Sequence, residues 1–486
     1  MSEPKTRTII PKGELDAVAT PPGSKSITNR ALILAALADG KTILTGALAS
    51  EDTQIMAVGL SQLGLSLDWN TERCQIDVYG QGGQFLHRQA DIYVGNSGTT
   101  ARFLTAVLAF AEGNYRIHGK PRMYQRPIRD LVDALNILGG NVAYEAEEGF
   151  PPLVIHPYNV PSPPGERVRV RGGNCERSCS PHPSPLPEGE GTSFESLSKG
   201  EGAFVKTVSV AGSVSSQFLT ALLLASPLAT EQPAVEIRVS SELVSKPYVE
   251  MTLRMMQSFG VSVETDEDFR TFRIAKGTAY QSPGVYAIEP DASAASYLLA
   301  AAAICGGSVT VQGLSKESLQ GDVAFAECLE KMNCEVTWSD NSITVCRPPE
   351  QPLRGITVDM NSISDTAQTL SVVALFAEGA TEIRNIEHVR FKETDRIADL
   401  ATELRRFGAA VEEYQDGLRI TPPEVLSPAT VQTYDDHRMA MSFAVAGLRL
   451  PGVVICDPDC TQKTFPDFFE TLEGLRSIES SSEGEK

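Results

Sequence analysis

The sequence is poor in positive charge and lacks any long apolar run. Its 42 lysines and arginines stand against 62 aspartates and glutamates, which gives a formal net charge of −20. This imbalance argues against nucleic acid or a membrane surface as a partner. No apolar run reaches the length of a membrane span, and the segment MSEPKTRTIIPKG lacks the apolar core of a signal peptide. We therefore expect a cytoplasmic protein.

Groups that bind metals do not form a recognisable pattern in this sequence. Nine cysteines are scattered over 486 residues, and in a long chain without an export signal we expect reduced thiols. Cys175, Cys179 and His182 have ligand-like spacing but lack a clear fourth ligand. The Asp-Asp-His sequence that ends at His437 has no second histidine–carboxylate cluster to support it. We expect neither a metal nor another cofactor.

What the sequence does contain is an internal repeat. Six Ala/Leu-rich segments are hydrophobic almost all round, which predicts buried helices. Each is followed by an amphipathic helix, and four of the five spacings between the starts of these second helices lie between 71 and 77 residues. The buried helices are predicted to start at Ser26, Thr99, Ser215, Ser293, Thr366 and His437. The second helices are predicted to start at Ser50, Arg126, Ser245, Asp322, Glu393 and Phe465.

The repeat predicts an α/β fold made of two similar domains, each with three βαβαββ units. Residues 22–288 would form one domain, and residues 1–21 together with 289–486 would form the other, with a ligand cleft between them. The one long spacing is explained by residues 161–202, whose Pro, Gly, Ser and Glu content predicts a disordered insertion. The tail, residues 480–486, is also expected to be disordered.

Basic residues recur at or near the starts of the predicted helices. The N-terminus of a helix carries partial positive charge, so lysine and arginine are unfavourable there unless an anion binds. Any one of these positions alone would be explained by an ordinary helix cap or a solvated ion pair. The basic residues in question are Lys25, Arg30, Arg126, Lys392, Arg396, Arg438 and Lys463. Together they predict a cleft for ligands that carry several negative charges, such as phosphate esters and carboxylates.

Two further observations limit the chemistry. The stretch around Lys25 is not a nucleotide-binding P-loop, because Ser24 precedes the lysine and Ala19 stands where the first glycine belongs. Asp365 and Glu393 are acidic residues among the cations, and they are candidates for proton transfer. The residues by themselves therefore predict a metal-free enzyme that acts on phosphorylated, carboxylated small molecules, and they leave the reaction open.

Several motifs, in order along nearly the whole chain, resemble those of the EPSP synthase (3-phosphoshikimate 1-carboxyvinyltransferase) family. They are PGSKSITNR, GNSGTTAR, QRPI, GSVSSQFLTALL, SKPY, SDTAQT, RFKETDRI, YDDHRMAM and CTQKTFPDFF. The resemblance implies two domains of buried parallel helices, like an inverted α/β barrel, which close on their substrates. It also implies transfer of the enolpyruvyl group of phosphoenolpyruvate to the 5-hydroxyl of shikimate 3-phosphate, in the shikimate pathway. We expect such an enzyme to act as a monomer.

The resemblance also implies roles for individual residues. Shikimate 3-phosphate would be bound by Lys25, Ser26, Arg30, Ser215, Ser216, Gln217, Ser245, Tyr248, Asp365 and Lys392. Phosphoenolpyruvate would be bound by Lys25, Asn96, Gly98, Thr99, Arg126, Gln217, Arg396, Arg438 and Lys463. Asp365 would be the base for the 5-hydroxyl, and Glu393, with Lys25, would donate a proton to the methylene carbon, assisted by His437.

The chain departs from the family pattern at a few positions near these sites. His388 stands where members often have asparagine, and Thr100 and Phe103 differ from the alanine and proline often found there. Gly98 is retained, and the family links alanine at that position to glyphosate tolerance. The resemblance therefore implies that this chain is a glyphosate target.

Two other functions are compatible with the same fold. UDP-N-acetylglucosamine enolpyruvyl transferase uses the same donor, but it carries a reactive cysteine on a loop that here reads HGKPRMYQRPI, without cysteine. A non-catalytic binding protein would not need the complete set of candidate base, acid and cations. Both alternatives can be tested with the same assay.

Overall fold

The computed structural model describes residues 5–158, 205–229 and 234–477. The predicted insertion at 161–202 and the predicted tail at 480–486 lie outside these ranges. Among the described residues, no helix is both long and apolar enough to cross a membrane.

The described residues form short strands and helices that alternate along the chain. The strands are β1 (Thr6–Thr8), β2 (Leu15–Ala19), β3 (Asp39–Thr45), β4 (Ser66–Asn70), β5 (Gln75–Gln81), β6 (Gln89–Tyr93), β7 (Asn114–His118), β8 (Val142–Tyr144), β9 (Leu153–Ile155), β10 (Val205–Val210), β11 (Ala234–Val239), β12 (Glu264–Thr265), β13 (Thr271–Ala275), β14 (Val285–Ala287), β15 (Gly307–Gln312), β16 (Glu335–Ser339), β17 (Ser342–Arg347), β18 (Leu353–Arg354), β19 (Thr357–Asp359), β20 (Ala377–Glu378), β21 (Thr381–Arg384), β22 (Ala410–Tyr414), β23 (Gly417–Thr421), β24 (Thr430–Val431) and β25 (Val454–Cys456). The helices are α1 (Lys25–Leu37), α2 (Glu51–Gln62), α3 (Gly98–Leu108), α4 (Arg129–Ile137), α5 (Ser216–Ala225), α6 (Lys246–Ser258), α7 (Ala292–Cys305), α8 (Phe325–Lys331), α9 (Ala367–Ala374), α10 (Arg396–Arg406), α11 (His437–Gly447) and α12 (Phe468–Gly474).

The sheets repeat one plan. Sheets of order β14-β3-β5-β4, β6-β7-β9-β8, β10-β11-β13-β12, β16-β17-β15-β2 and β19-β21-β23-β22 each contain one parallel pair, and their remaining pairs are antiparallel. A smaller sheet, β1-β25-β24, also has one parallel pair. A parallel pair needs a crossover connection, and the buried helix of each unit supplies it in four of these sheets. This is the repeated α/β unit that the sequence predicts.

Neither β2 nor β14 pairs within the unit of the helix that directly follows it. Strand β2 immediately precedes α1 in sequence but pairs with β15, in parallel. Strand β14 immediately precedes α7 but pairs with β3, also in parallel. The chain crosses between the two groups of sheets at two segments, one around Pro22 and one around Glu289. These crossing segments lie side by side: the Ser24 amide donates to the Glu289 carbonyl at 2.8 Å, and the Asp291 amide donates to the Pro22 carbonyl at 2.8 Å.

The buried helices begin within one residue of their predicted starts. Every residue of α3, α7 and α11 is buried, as expected for segments that are hydrophobic all round. Their first turns are capped by side chains: Ser97 accepts a hydrogen bond from the Thr100 amide, and Asp291 accepts one from the Ala294 amide. The caps fix where each helix starts, and therefore which polar residues stand at its end.

Four of the second helices begin three residues later than predicted. One is α8, which begins at Phe325 and not at Asp322. The segment predicted from Arg126 becomes helical only at Arg129, because Arg126 precedes Pro127 and adopts an extended backbone. The segment predicted from Glu393 becomes helical at Arg396, where the Asp395 side chain caps the Ala398 amide. The last of the four begins at Phe468 and not at Phe465. Of the residues left outside the helices, Arg126 and Pro127 line the cleft.

The hydrophobic core separates into two clusters. One is built from residues between Ile27 and Ile288, and the other from Ile9, Leu15 and residues between Ala292 and Leu475. We propose domain limits at residues 21/22 and 288/289, and this division of the core supports them.

Candidate active site

A polar cleft lies where the starts of several buried helices meet. Its walls contain many of the residues predicted from the sequence, namely Lys25, Ser26, Arg30, Thr99, Arg126, Ser215, Ser216, Gln217, Ser245, Tyr248, Asp365 and Lys392. Hydrogen bonds or ion pairs connect Asn96, Glu393, Arg396, Arg438 and Lys463 to this group. The structure thus brings together residues from both halves of the chain.

Arg30 is a buried cation on α1 without a carboxylate within ion-pair distance among the described residues. Its guanidinium donates to neutral oxygens only: Thr252 Oγ1 at 2.8 Å, the Ser26 carbonyl at 2.9 Å and the Tyr248 carbonyl at 3.4 Å. Burial lowers the pKa of Arg30 to about 10. The side chain is still charged at neutral pH, so an anion in the cleft would supply the missing countercharge.

The start of α5 adds neutral donors to the same wall. Ser215 caps the helix by accepting a hydrogen bond from the Gln217 amide at 3.2 Å. Gln217 Nε2 reaches Thr99 Oγ1 at 3.5 Å, which links α5 to α3. Ser216 is buried in the first turn of α5 and lines the cleft. Hydroxyl, amide and helix N-terminus together suit a phosphate group.

Ser245 has a left-handed backbone, with φ of 53°, at the start of α6. Its amide donates to Asn361 Oδ1 at 3.0 Å, and its hydroxyl lies 3.2 Å from His388 Nε2. His388 Nε2 also lies 2.8 Å from Ser364 Oγ. Burial and the nearby Lys392 lower the pKa of His388 to about 3, so the imidazole is neutral. His388, the residue that departs from the family pattern, therefore lines the cleft as a neutral hydrogen-bonding group.

Asp365 is the centre of one cluster of charges. Lys392 Nζ lies 2.5 Å and Arg396 Nη1 3.3 Å from Asp365 Oδ1, and Arg438 Nη2 lies 2.7 Å from Oδ2. Burial opposes ionisation, but the three cations hold the pKa of Asp365 well below its ordinary value. The Tyr248 hydroxyl oxygen also lies within hydrogen-bond distance of Oδ2, at 3.2 Å. Asp365 is therefore an ionised carboxylate at the edge of the cleft.

Glu393 is the centre of a second cluster. Lys463 Nζ lies 2.9 Å from its Oε1, and Arg396 Nη2 lies 2.7 Å from its Oε2. Burial opposes ionisation here too, but Lys463, Arg396 and Arg126 hold the pKa of Glu393 well below its ordinary value. Arg396 therefore bonds both candidate proton-transfer carboxylates. Asp436, which receives Arg396 Nε at 2.7 Å, keeps the guanidinium in this position.

Arg126 lies beside the second cluster and close to Gly98, where an added Cβ atom would stand 2.4 Å from Arg126 Nη2. Arg126 Nη1 donates to the Asn96 carbonyl at 2.9 Å, and the same carbonyl accepts from Lys463 Nζ at 3.3 Å. Burial lowers the pKa of Arg126. Its Nε has no hydrogen-bond partner among the described residues. Like Arg30, this cation lacks a carboxylate within ion-pair distance in the described part of the chain and is available to an incoming anion.

His437 and Lys25 lie close to these groups. His437 is fully buried at the start of α11, and neither ring nitrogen has a hydrogen-bond partner within the described ranges. Burial, and then Lys25, lower the pKa of His437 well below its ordinary value, so it is neutral. Lys25 begins α1 from the crossing segment, and its Nζ lies 3.8 Å from Asp52 Oδ2.

Four residues of the site were missed by the sequence analysis. Arg102 is buried in the cleft wall and donates to the Gly98 and Pro127 carbonyls at 3.1 and 3.0 Å. Arg122 donates to the carbonyls of Glu393 and Lys392 at 3.1 and 3.2 Å. The other two are the buried carboxylates Asp52 and Asp322. The sequence did contain a signal for Arg102 and Arg122. Arg102 ends the motif GNSGTTAR and Arg122 lies in KPRM, so both are cations close to predicted helix starts.

Solved structures identify the fold. EPSP synthase from Acinetobacter baumannii superimposes with a TM-score of 0.71 at 22% identity, over 96% of this chain and 97% of that one. The enolpyruvyl transferase NikO from Streptomyces tendae gives 0.70 at 15% identity, over 97% of both chains. This chain thus has the fold of the enolpyruvyl transferases, with a cation-lined cleft and two carboxylates among its cations.

Sequence comparison is more specific. A family model described as EPSP synthase (3-phosphoshikimate 1-carboxyvinyltransferase) matches residues 9–172 and 193–472. The 3-phosphoshikimate 1-carboxyvinyltransferase of Herminiimonas arsenicoxydans is 45% identical over 453 residues, 92% of each chain. That of Photobacterium profundum is 44% identical over 469 residues, 96% of this chain and 98% of its own. The chain belongs to the EPSP synthase family, as its motifs implied.

Proposed function

We propose that this chain transfers the enolpyruvyl group of phosphoenolpyruvate to the 5-hydroxyl of shikimate 3-phosphate and releases phosphate. The observation that carries this proposal is the joining of two carboxylates, Asp365 and Glu393, by one buried arginine, Arg396, in a cation-lined cleft. The reaction requires removal of a hydroxyl proton and delivery of a proton to a carbon, so two separate proton-transfer groups are needed.

Shikimate 3-phosphate would occupy the wall that Arg30 and the starts of α1, α5 and α6 form. Arg30 is a cation whose bonds go to neutral oxygens, and Ser215 and Ser216 stand at a helix N-terminus. Lys25, Ser26, Gln217, Ser245, Tyr248 and Lys392 line the same space and would complete the contacts. His388 would offer a neutral ring to this substrate where other members offer an amide.

Phosphoenolpyruvate would occupy the end of the cleft between Arg126 and Lys463. Both cations contact the carbonyl of Asn96, which places them side by side. Gly98 lets an anion approach the start of α3 because no Cβ intervenes. Lys25, Thr99, Gln217, Arg396 and Arg438 would complete this site. The positions of cations on both halves would hold the two substrates in reacting geometry.

Asp365 would take the proton of the 5-hydroxyl. It is ionised, and it lies in the cleft wall beside Tyr248 and Lys392. Anionic substrates would draw part of the charge of Lys392, Arg396 and Arg438 away from it, which would raise its pKa and make it a stronger base.

Glu393, with Lys25, would donate the proton to the methylene carbon. Lys463 and Arg396 keep Glu393 ionised in the ligand-free site. A phosphate dianion bound by the same cations would offset their charge, raise the pKa of Glu393 and allow it to carry a proton. His437, neutral and without hydrogen-bond partners in the described structure, would assist from the start of α11.

The decisive assay measures phosphate release from phosphoenolpyruvate with two acceptors in parallel. We expect release with shikimate 3-phosphate and none with UDP-N-acetylglucosamine. The opposite result would assign the chain to the rival transferase, and no release with either acceptor would indicate a binding protein. We also propose that the enzyme works as a monomer in the cytoplasm. The free thiols of Cys305, Cys328 and Cys334 are consistent with a reducing compartment.

A further inference from the structure

Another buried carboxylate, Asp322, lies behind the proposed base. It precedes α8, is 4% exposed, and does not belong to the residues that line the cleft. Its Oδ2 accepts hydrogen bonds from Ser293 Oγ and, at 2.9 Å, from the Tyr248 hydroxyl. Its Oδ1 has no hydrogen-bond partner in the described part of the chain. A buried carboxylate with an unused oxygen is costly, so its presence here calls for a reason.

Tyr248 stands between the two carboxylates. Its hydroxyl oxygen lies 2.9 Å from Asp322 Oδ2 and 3.2 Å from Asp365 Oδ2. A phenol carries one proton, so it can donate a full hydrogen bond to only one carboxylate at a time. The second contact becomes favourable when the carboxyl on that side is protonated and donates to the phenol oxygen. The geometry therefore suits one proton shared along the line Asp365–Tyr248–Asp322.

We propose that Asp322 receives, through the Tyr248 hydroxyl, the proton that Asp365 takes from the acceptor substrate. The inference rests on the proposed function, because it needs Asp365 to be the base. Asp322 does not touch the substrate; it acts through Tyr248 and is a positioning residue on the proton path.

The step balances without another reactant. The O–H bond of the acceptor hydroxyl breaks, its electron pair forms the new C–O bond, and the proton bonds to Asp365 Oδ2. Asp365 then passes a proton to the Tyr248 oxygen while Tyr248 passes its own to Asp322 Oδ2. Tyr248 is unchanged, Asp365 is ionised again, and Asp322 is protonated. The reverse path returns the proton to water after product release.

The charges around the two carboxylates favour this direction. Burial and the neighbouring Asp365 raise the pKa of Asp322 to about 6, while Ser293, Arg438 and Tyr248 lower it by less. The pKa of Asp365 is held well below its ordinary value by Arg438, Lys392 and Arg396 against burial. A proton moves spontaneously from the stronger acid to the weaker one, so it moves from Asp365 towards Asp322.

Asp322→Asn is the first test, since asparagine keeps the shape and can accept the same hydrogen bonds but cannot take a proton. We expect kcat to fall roughly tenfold or more, with the KM of phosphoenolpyruvate within about twofold. In mixed H₂O/D₂O the dependence of kcat on deuterium content should be curved for the unmodified enzyme, because several protons move, and linear for the variant. A purely structural role for Asp322 would leave the curvature in place.

The pH profile of kcat gives a second readout. Asp322 must be ionised to accept a proton, so activity should be full above its pKa and fall as the pH drops through about 6. Asp322→Asn should not show this fall in activity, the acid limb of the profile. Ser293→Ala should keep the curved isotope dependence and move the limb to higher pH, because the Ser293 hydrogen bond lowers the pKa of Asp322. Substrate phosphates titrate in the same range, but all variants share them.

Tyr248→Phe tests the proton relay if Asp322→Asn does not fold. It keeps both carboxylates and removes the hydroxyl between them, so it should also lose the curved isotope dependence and the acid limb. The relay is wrong if the folded variants keep both features of the unmodified enzyme. Asp365→Asn distinguishes a failure of the relay from a failure of the proposed function. Near-normal turnover of that variant would show that Asp365 is not the base, and the proposed function would then fail together with the relay.

Discussion

A Cβ atom added to Gly98 would stand 2.4 Å from Nη2 of Arg126. It would also stand 2.6 Å from Nη1 of Arg102. Both guanidinium groups are buried, and Arg126 is held by the carbonyl of Asn96 at 2.9 Å. Any side chain at position 98 therefore has to displace a cation that we place at the phosphoenolpyruvate site.

Gly98→Ala should weaken phosphoenolpyruvate binding more than shikimate 3-phosphate binding. Loss of one well-placed charge-assisted hydrogen bond costs about 1.5–3 kcal/mol, so we expect the KM of phosphoenolpyruvate to rise roughly tenfold or more. Steady-state kinetics with each substrate varied in turn measures both constants. The KM of shikimate 3-phosphate serves as the internal control. An unchanged KM of phosphoenolpyruvate would contradict the placement of Arg126.

Asp365→Asn should lower turnover at least about a hundredfold, the smaller end of the usual contribution of a general base. The variant keeps the shape of the side chain but cannot accept the hydroxyl proton. Asp340→Asn, an exposed position in the turn between β16 and β17, is the matched control and should retain full turnover. Both are measured as phosphate release at saturating substrates. Near-normal turnover of Asp365→Asn would refute the base assignment.

Arg122→Gln should loosen the contact between the two halves. Arg122 donates to the carbonyls of Glu393 and Lys392, so it holds the turn that carries the proposed proton donor. We expect a roughly five- to tenfold rise in KM for both substrates, and partial recovery in Arg122→Lys. Arg129→Gln, which removes an exposed ion pair with Glu148, should leave both KM values unchanged. Identical kinetics for Arg122→Gln and Arg129→Gln would show that the contact is irrelevant.

Glyphosate should compete with phosphoenolpyruvate. It carries a phosphonate and a carboxylate, and the end of the cleft with Arg126 and Lys463 offers cations to both kinds of anion. Inhibition measured over a range of phosphoenolpyruvate concentrations should give an apparent inhibition constant that rises with the substrate. A constant that does not depend on phosphoenolpyruvate would place the inhibitor elsewhere.

The sequence predicted the parts of the site that depend on local pattern. The buried helices and the polar residues at their starts, such as Lys25 and His437, follow from periodicity and capping, which act over a few residues. The contacts of Arg122 and Asp322 could not be predicted in this way, although Arg122 stands close to a predicted helix start. The carbonyl of Glu393 is 271 residues away from Arg122, and Tyr248 is 74 residues away from Asp322. Their roles depend on the packing of the two halves.

The partner strands of β2 and β14 were also beyond local pattern. The proposed domain limits place β2 with residues 289–486 and β14 with residues 22–288, away from the helices that directly follow them, but these limits name no partner strand. In the structure β2 pairs with β15 and β14 pairs with β3. Edge pairing in a sheet depends on which partner the folded chain offers, and three to five residues carry too little information to specify it.

The crossing of the chain near Pro22 and Glu289 has a consequence for how this molecule is assembled. The chain leaves the domain of residues 1–21 and 289–486 near Pro22 and returns to it near Glu289, and these two segments are hydrogen bonded to each other. On the proposed domain limits, residues 22–288 are thus one inserted cassette whose ends are neighbours. Such a cassette folds without threading through its host, and its two hydrogen-bonded ends are the natural pivot for the closure that the family resemblance implies. Lys25 directly follows Ser24 of this pivot, so closure would rotate the lysine that we place at both substrates by little more than the pivot itself.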